Sequence, residues 1–127
     1  MNKALQQRVV EYVNLGAVGK RGRPVKLGSE ASLRRYPEAL FENNYQPDCV
    51  LIDGRFRVAC FLQTLISSAP GTKIIFDDYP FREQYHVVED FAQKADATKT
   101  QAMFIRPEKI DVKTISAALA EFIFVPD

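Results

Sequence analysis

Asp53, Asp77 and Asp78, with Tyr79, Arg82 and His86 after them, carry most of the chemistry this sequence offers. Asp53 ends one short apolar run, Cys49–Ile52, and Asp77-Asp78 ends another, Lys73–Phe76. If the three carboxylates converge they repel, by about 1 kcal/mol for a pair ~4 Å apart in water and about 4 kcal/mol at an effective dielectric of 20. A cation must then sit among them. One candidate is Mg²⁺ or a similar hard ion on the oxygens of Asp53, Asp77 and Asp78. The other is the protein itself, through Arg55, Arg57 or Arg82 as a bidentate partner. A plainer use competes with both: Asp53 and Asp78 each stand just before a predicted helix, where an N-cap aspartate satisfies free backbone N–H groups. As candidate catalytic groups we take Asp53, Asp78, Tyr79, Arg82 and His86. His86, the sole histidine, is the obvious general base, but its helical angle puts it on the polar face with Arg82 and Glu89. Tyr79 and Arg82 stand nearer the strand end and are better placed to touch a ligand.

These residues are positioned by a predicted strand–helix–strand unit. Cys49–Ile52 and Lys73–Phe76 are too short for helices, and Pro70-Gly71 is the turn that launches the second. Apolar runs without polar alternation read as strands buried on both faces of a parallel sheet. A parallel pair needs a crossover, and Arg55–Ser67 is long enough to be its helix. Both strands then finish at one edge, the carboxyl edge where open α/β sheets bind ligands. On the crossover helix Val58, Ala59, Leu62, Leu65 and Ile66 fall within an arc of roughly 120° that should face the core. Phe61 falls with Arg57, Thr64 and Ser68 on the other side and is expected to be exposed unless a local loop, a missing segment or another chain packs on it.

Elsewhere the pattern gives a helix tail at Asn2–Arg8, a strand at Val9–Leu15, and mostly irregular chain from Gly16 to Pro47, with helical turns around Glu38–Asn43. Pro80 suits the first turn of an amphipathic helix running to Ala95, with Phe81, Tyr85, Val88, Phe91, Ala92 and Ala95 on its apolar face. Gln101–Arg106 reads as a strand, Val112–Glu121 as a helix and Phe122–Val125 as a closing strand. The whole of 1–127 is expected to form one α/β domain.

Composition narrows the function classes. The chain has 127 residues, 46% hydrophobic and 26% charged, with a formal net charge of +1. That is ordinary globular composition, with no electrostatic case for nucleic acid. The basic run Lys20, Arg21, Arg23 and Lys26 lacks interleaved aromatics and reads as a solvated loop. Cys49 and Cys60 sit where small buried hydrophobes belong and are expected to be reduced. No apolar stretch approaches the roughly 18 residues of a membrane span, and the start lacks a signal-peptide core. A soluble, cytoplasmic protein is the expectation.

Asp53-Gly54-Arg55-Phe56-Arg57-Val58-Ala59, and then Asp77-Asp78-Tyr79 with Arg82, Tyr85 and Val88, resemble the C-terminal half of a bacterial group related to class I S-adenosylmethionine-dependent methyltransferases. The similarity runs from about Val9 to the end. It implies a three-layer Rossmann-like fold with a mostly parallel sheet, truncated relative to a full methyltransferase. In catechol-type relatives, acidic residues ending the fourth and fifth strands hold the metal that orients the substrate hydroxyls; by position these are Asp53, Asp77 and Asp78. The implied cofactors are therefore S-adenosylmethionine and Mg²⁺. The sequence also departs from the family, whose cofactor lies on a glycine-rich loop after the first strand with an acidic residue ending the second. Here Gly16-Ala17-Val18-Gly19 is followed by Lys-Arg-Gly-Arg-Pro, a poor start for a helix, and the first two strands of the family have no counterpart.

Two functions are expected from these residues. One is a methyltransferase-like binding or assembly module that cannot catalyse alone. The other is a methyltransferase, with or without a divalent metal, whose cofactor half lies elsewhere or on another chain. Without the two absent strands an apolar sheet edge stays open, which favours a homodimer or higher oligomer. The partners expected are a second copy and a small-molecule ligand, with neither nucleic acid nor membrane.

Overall fold

A computed structural model of the protein describes residues 37, 38, 41 and 46–126. The expected helix tail, the strand Val9–Leu15, the basic run and most of the irregular segment lie outside the described residues. Of the turns expected around Glu38–Asn43, Pro37 and Glu38 are helical and Phe41 lies in a 3-10 turn.

The central unit forms as its residue types dictate. Cys49–Ile52 is β1, Arg57–Ser67 is α1 and Lys73–Asp77 is β2. β1 and β2 pair in parallel, from Cys49 opposite Lys73 to Ile52 opposite Phe76. The turn into β2 requires its glycine: Gly71 has φ 90°, which residues with a Cβ rarely adopt. A 3-10 helix, Glu83–Asp90, comes next, then β3 (Lys94–Ala97), β4 (Gln101–Ile105) and α2 (Val112–Phe122).

The sheet is mixed, not mostly parallel. Its order is β1-β2-β4-β3, and β4 runs antiparallel to both neighbours. The cause is a hairpin. Thr98 and Gln101 close a tight turn, with the Thr98 N–H donating to the Gln101 carbonyl (2.9 Å) and the Gln101 N–H to Thr98 Oγ1 (3.0 Å). Ala95 therefore belongs to a strand rather than to a helix begun at Pro80. The helical part is shorter and tighter than expected, because Tyr85, Val88 and Phe91 recur every three residues, the 3-10 period. Phe81, outside it, is 69% exposed.

The strands alternate instead of being buried on both faces. Val50, Ile52, Ile74, Phe76, Ala102 and Phe104 form a buried inner face, while Cys49 and Leu51 are exposed. Cys49 is thus no core residue and Cys60 is half-buried; both are free thiols. α1 packs on β1, β2, the 3-10 helix and, most extensively, α2. These helices gather around α1, and the further helical layer of a three-layer domain is not found among the described residues. None of the described helices is long and apolar enough to cross a membrane.

Phe61 corrects the angular reading of α1. It is fully buried, its ring edge-on to Phe104 at 4.9 Å between centroids and tilted against Phe76 at 6.1 Å. A helix covered on more than one side buries much more than one stripe, and Arg57, Gln63 and Thr64 are buried with it. The closing strand Phe122–Val125 is absent too. Ile115, Leu119 and Ile123 make a stripe of four-residue spacing, so helical turns persist and place Ile123 in the core. The chain then reaches back to α1, where the Phe56 N–H donates to the Pro126 carbonyl at 3.4 Å.

Replacing Phe61 by alanine is expected to cost about 3–5 kcal/mol, the range for a large buried aromatic, as read from urea unfolding. A loss under about 0.5 kcal/mol, as for an exposed side chain, would contradict this packing.

Candidate functional site

The parallel pair brings the aspartates together. Asp53 lies just past β1, Asp77 ends β2, and Asp78 comes next. One carboxylate oxygen from each lies within 4.8 Å of the others. The chain turns sharply at this edge: Phe56 and Asp78 both have φ 55°, in the left-handed region. Aspartate tolerates that conformation, whereas for a bulky residue such as Phe56 it is an outlier.

The capping role expected of Asp53 and Asp78 is not realised. α1 starts at Phe56 without a side-chain cap, and Arg82 precedes the 3-10 helix, also without one. The aspartate that caps a helix is Asp111, whose Oδ1 accepts from the Thr114 N–H (3.2 Å) and whose Oδ2 accepts from the Thr114 hydroxyl (2.8 Å). The Thr114 hydrogen bonds hold its carboxyl below the usual range.

Arg57 supplies the counter-charge, with Nη2 at 3.8 Å from Asp53 and 3.6 Å from Asp78. Asp77 instead accepts from Gln101 Nε2 at 3.0 Å. The two neighbouring carboxyls therefore move apart. Partial burial, then a hydrogen bond to Asp77 and its charge, push Asp53 up, against the pull of Arg57. The Gln101 amide, helped by Asp53 and the Asp78 N–H, holds Asp77 down against desolvation. Of the two, Asp53 is the first to take up a proton as pH falls.

Tyr79, Arg82 and His86 form a separate group on the chain that leaves this rim. Tyr79 is buried, and its hydroxyl donates to Glu89 Oε2 at 2.5 Å. Burial and then Glu89 push the phenol far above its ordinary value, so it offers neither a base nor a free hydroxyl to a rim ligand. His86 stacks on Tyr79 at 4.7 Å, with Nε2 3.0 Å from the Tyr79 carbonyl. A carbonyl only accepts, so Nε2 carries the hydrogen. His86 is half-buried as a brace, not set on a solvent face. Arg82 Nη1 donates to the Tyr85 hydroxyl at 3.3 Å, and its guanidinium lies 6.0 Å from the centre of that ring. Sequence reasoning passed over Gln101, Tyr85 and Glu89 as partners. Only the tertiary pairing of β2 with β4, and the turn after Tyr79, bring them in.

Three carboxylates are a hard-oxygen set suited to a cation such as Mg²⁺. Arg57 already occupies one flank of that set and repels a dication at contact distance. A cation therefore fits only on the solvent side, where the side chains of Asp53 and Asp78 are 53% and 39% exposed.

Among solved structures the chain is similar to a methyltransferase-like protein from Silicibacter pomeroyi, with 34% sequence identity and a TM-score of 0.74. The match covers 88% of this chain and 59% of that one, so this chain spans less than two thirds of the length of its neighbour. No protein-family model and no curated protein sequence matches it. The likeness supports the methyltransferase-like resemblance at a coarse level and accounts for the small α/β fold.

Asp53 holds its proton to higher pH in the folded chain than in the unfolded one. Between the two values the folded state binds more protons, so this contribution to stability falls as pH rises. Asp53→Asn is accordingly expected to raise the melting temperature at pH 7, by no more than about 2 °C because the group is half exposed. The gain should vanish as pH falls below the ordinary aspartate value. A lower melting temperature for the variant at pH 7 would contradict it.

Proposed function

We propose that this chain is the rim-bearing part of a methyltransferase-like protein, that it binds a small organic cation at Asp53, Asp77 and Asp78, and that it transfers no methyl group by itself. The observation that carries this is the convergence of three carboxylates on the carboxyl edge of the parallel pair β1–β2, where α/β sheets bind ligands. Three carboxylates outweigh the guanidinium of Arg57 beside them. An ammonium group donates hydrogen bonds to the carboxylates directly, whereas Mg²⁺ sheds its water reluctantly. The exposed Phe81, three residues after Asp78, offers apolar surface to the rest of such a ligand.

Methyl transfer needs donor and acceptor held in line. By position β1 matches a later strand of the family, not the first strand whose glycine-rich loop holds the cofactor, and no such loop is read in this sequence. S-Adenosylmethionine binding therefore falls outside our reading of the chain on its own. The alternative is a metal-assisted methyltransferase whose cofactor half is supplied by another chain, and the oxygen donor set favours it. In that case Asp53, Asp77 and Asp78 would hold the metal, which would supply Lewis acidity to a substrate oxygen. In either case the chain works as a homodimer, which the exposed Leu51 and Ile105 on the outer sheet surface support.

Thermal shift separates these readings. A ligand at 100 times its dissociation constant stabilises by ~2.7 kcal/mol. Millimolar S-adenosylmethionine or S-adenosylhomocysteine is expected to give no shift, and a panel of organic amines a rise that Asp78→Asn abolishes. A clear shift with either sulfur compound would overturn the cofactor-free reading. Calorimetric heat with Mg²⁺ or Mn²⁺ that Asp53→Asn removes would favour the metal alternative. A monomer in sedimentation at tens of micromolar would end the dimer.

A further inference from the structure

We infer that Arg57 is the positioning residue of the acidic rim, a buried guanidinium that fixes the ends of both parallel strands and thereby the placing of Asp53 and Asp78. This deepens the rim reading given above and rests on it for the ligand, though not for the geometry.

Arg57 is only 8% exposed, and a charge so deeply placed persists only where it is paired and hydrogen-bonded. Its Nε donates to the Gly54 carbonyl at 2.9 Å and its Nη1 to the Asp77 carbonyl at 2.7 Å. Those carbonyls lie just past the last parallel pair, Ile52 with Phe76. The guanidinium thus continues the tie between the two strands where the β1–β2 ladder stops. It also lies 5.7 Å from the centre of the Tyr85 ring, which brings in the 3-10 helix. One side chain on α1 therefore touches both strand ends and the segment that leaves the rim.

The geometry towards the carboxylates differs in kind. At 3.8 and 3.6 Å, Asp53 and Asp78 are beyond hydrogen-bond range of Nη2. Their charge is steered by Arg57 without a direct bond from it using up their lone pairs. At this rim the short bonds go to the Gly54 and Asp77 backbone, and the long contacts go to Asp53 and Asp78, the groups that would meet a ligand. A residue present only to neutralise the cluster would have the opposite arrangement. Only a planar fork can make both backbone bonds together, because the ammonium of lysine is a point donor on a flexible stem.

The test uses Arg57→Lys and Arg57→Gln in the full chain, read by NMR, with spermidine as the probe cation. Arg57→Lys keeps the charge and loses the fork. Both variants are expected to keep the core signals of Phe76 and Phe104 while shifting the Gly54, Asp78 and Tyr85 backbone signals. In Arg57→Lys, which keeps the charge, spermidine affinity should fall about tenfold, the order of loss known for outer-shell partners that orient metal ligands. If Arg57→Lys leaves the backbone signals and spermidine affinity as in wild type, Arg57 is a counter-charge only and the inference falls. If wild type ignores spermidine while both variants still shift the strand-end signals, the positioning role stands and the ligand reading fails. Should a variant not fold, the wild type still decides. Separate, slowly exchanging Arg57 Nη signals support the clamp, and averaged signals overturn it.

Discussion

Two parallel strands joined by a helix must end at the same edge of their sheet, and the residues just past them are forced together. In this chain those residues are acidic: Asp53 after β1, Asp77 at the end of β2 and Asp78 after it. The polypeptide therefore has to hold like charges close, and it does so through Arg57. The guanidinium is tied to backbone at Gly54 and Asp77 and only then faces the carboxylates. The aromatic core supports the same edge from beneath. Phe76 packs against Tyr79 at 5.1 Å and Tyr85 at 5.0 Å, so the residue that closes the inner face of β2 also anchors the chain leaving the rim.

Much of this edge was legible in the residues. Short apolar runs stopped by Asp53-Gly54 and Asp77-Asp78, with Pro70-Gly71 between, leave little choice but strand–helix–strand. The resulting elements differ from the sequence reading by a residue or two at their ends. The direction of the other strands was not legible in the same way. Apolar periodicity says which side chains share a face but not which way the next strand runs. That was decided by Thr98 and Gln101, a turn too short for anything but a hairpin. Phe61 was misplaced because the core arc was centred on Val58 and Leu62. Phe61 lies on the flank that meets the sheet, and a helix packed on several sides has no single stripe to find.

The site shows the same division. Residue types announced an acidic edge and a cationic partner, but not that Arg57 would be that partner or that the capping aspartate would be Asp111. N-capping was a sound local expectation for Asp53 and Asp78, and tertiary demands displaced it. Phe56 enters α1 in the left-handed region, and the backbone of Pro126 comes to its N–H from the far end of the chain. No local pattern encodes a contact across that separation. Tyr79 and His86 were attractive as chemical groups, yet both turn into the fold, one to Glu89 and the other to a backbone carbonyl.

What remains at the rim runs against the stability of the chain. Asp53 is held beside two other carboxylates, and Phe56 occupies a backbone conformation that costs of order 1–3 kcal/mol for a bulky residue. Glycine at 56 would adopt the same angles without that cost, and asparagine at 53 would remove one repelling charge. Natural chains break local rules of this kind mostly where a site demands it, and compensate elsewhere. Here the compensation is visible as the Arg57 clamp and the packed aromatic floor. A surface shaped only for solubility would need neither a buried arginine beneath it nor a strained turn beside it. The coincidence of like charge, backbone strain and a buried clamp at one strand edge is what distinguishes this rim from an ordinary acidic patch.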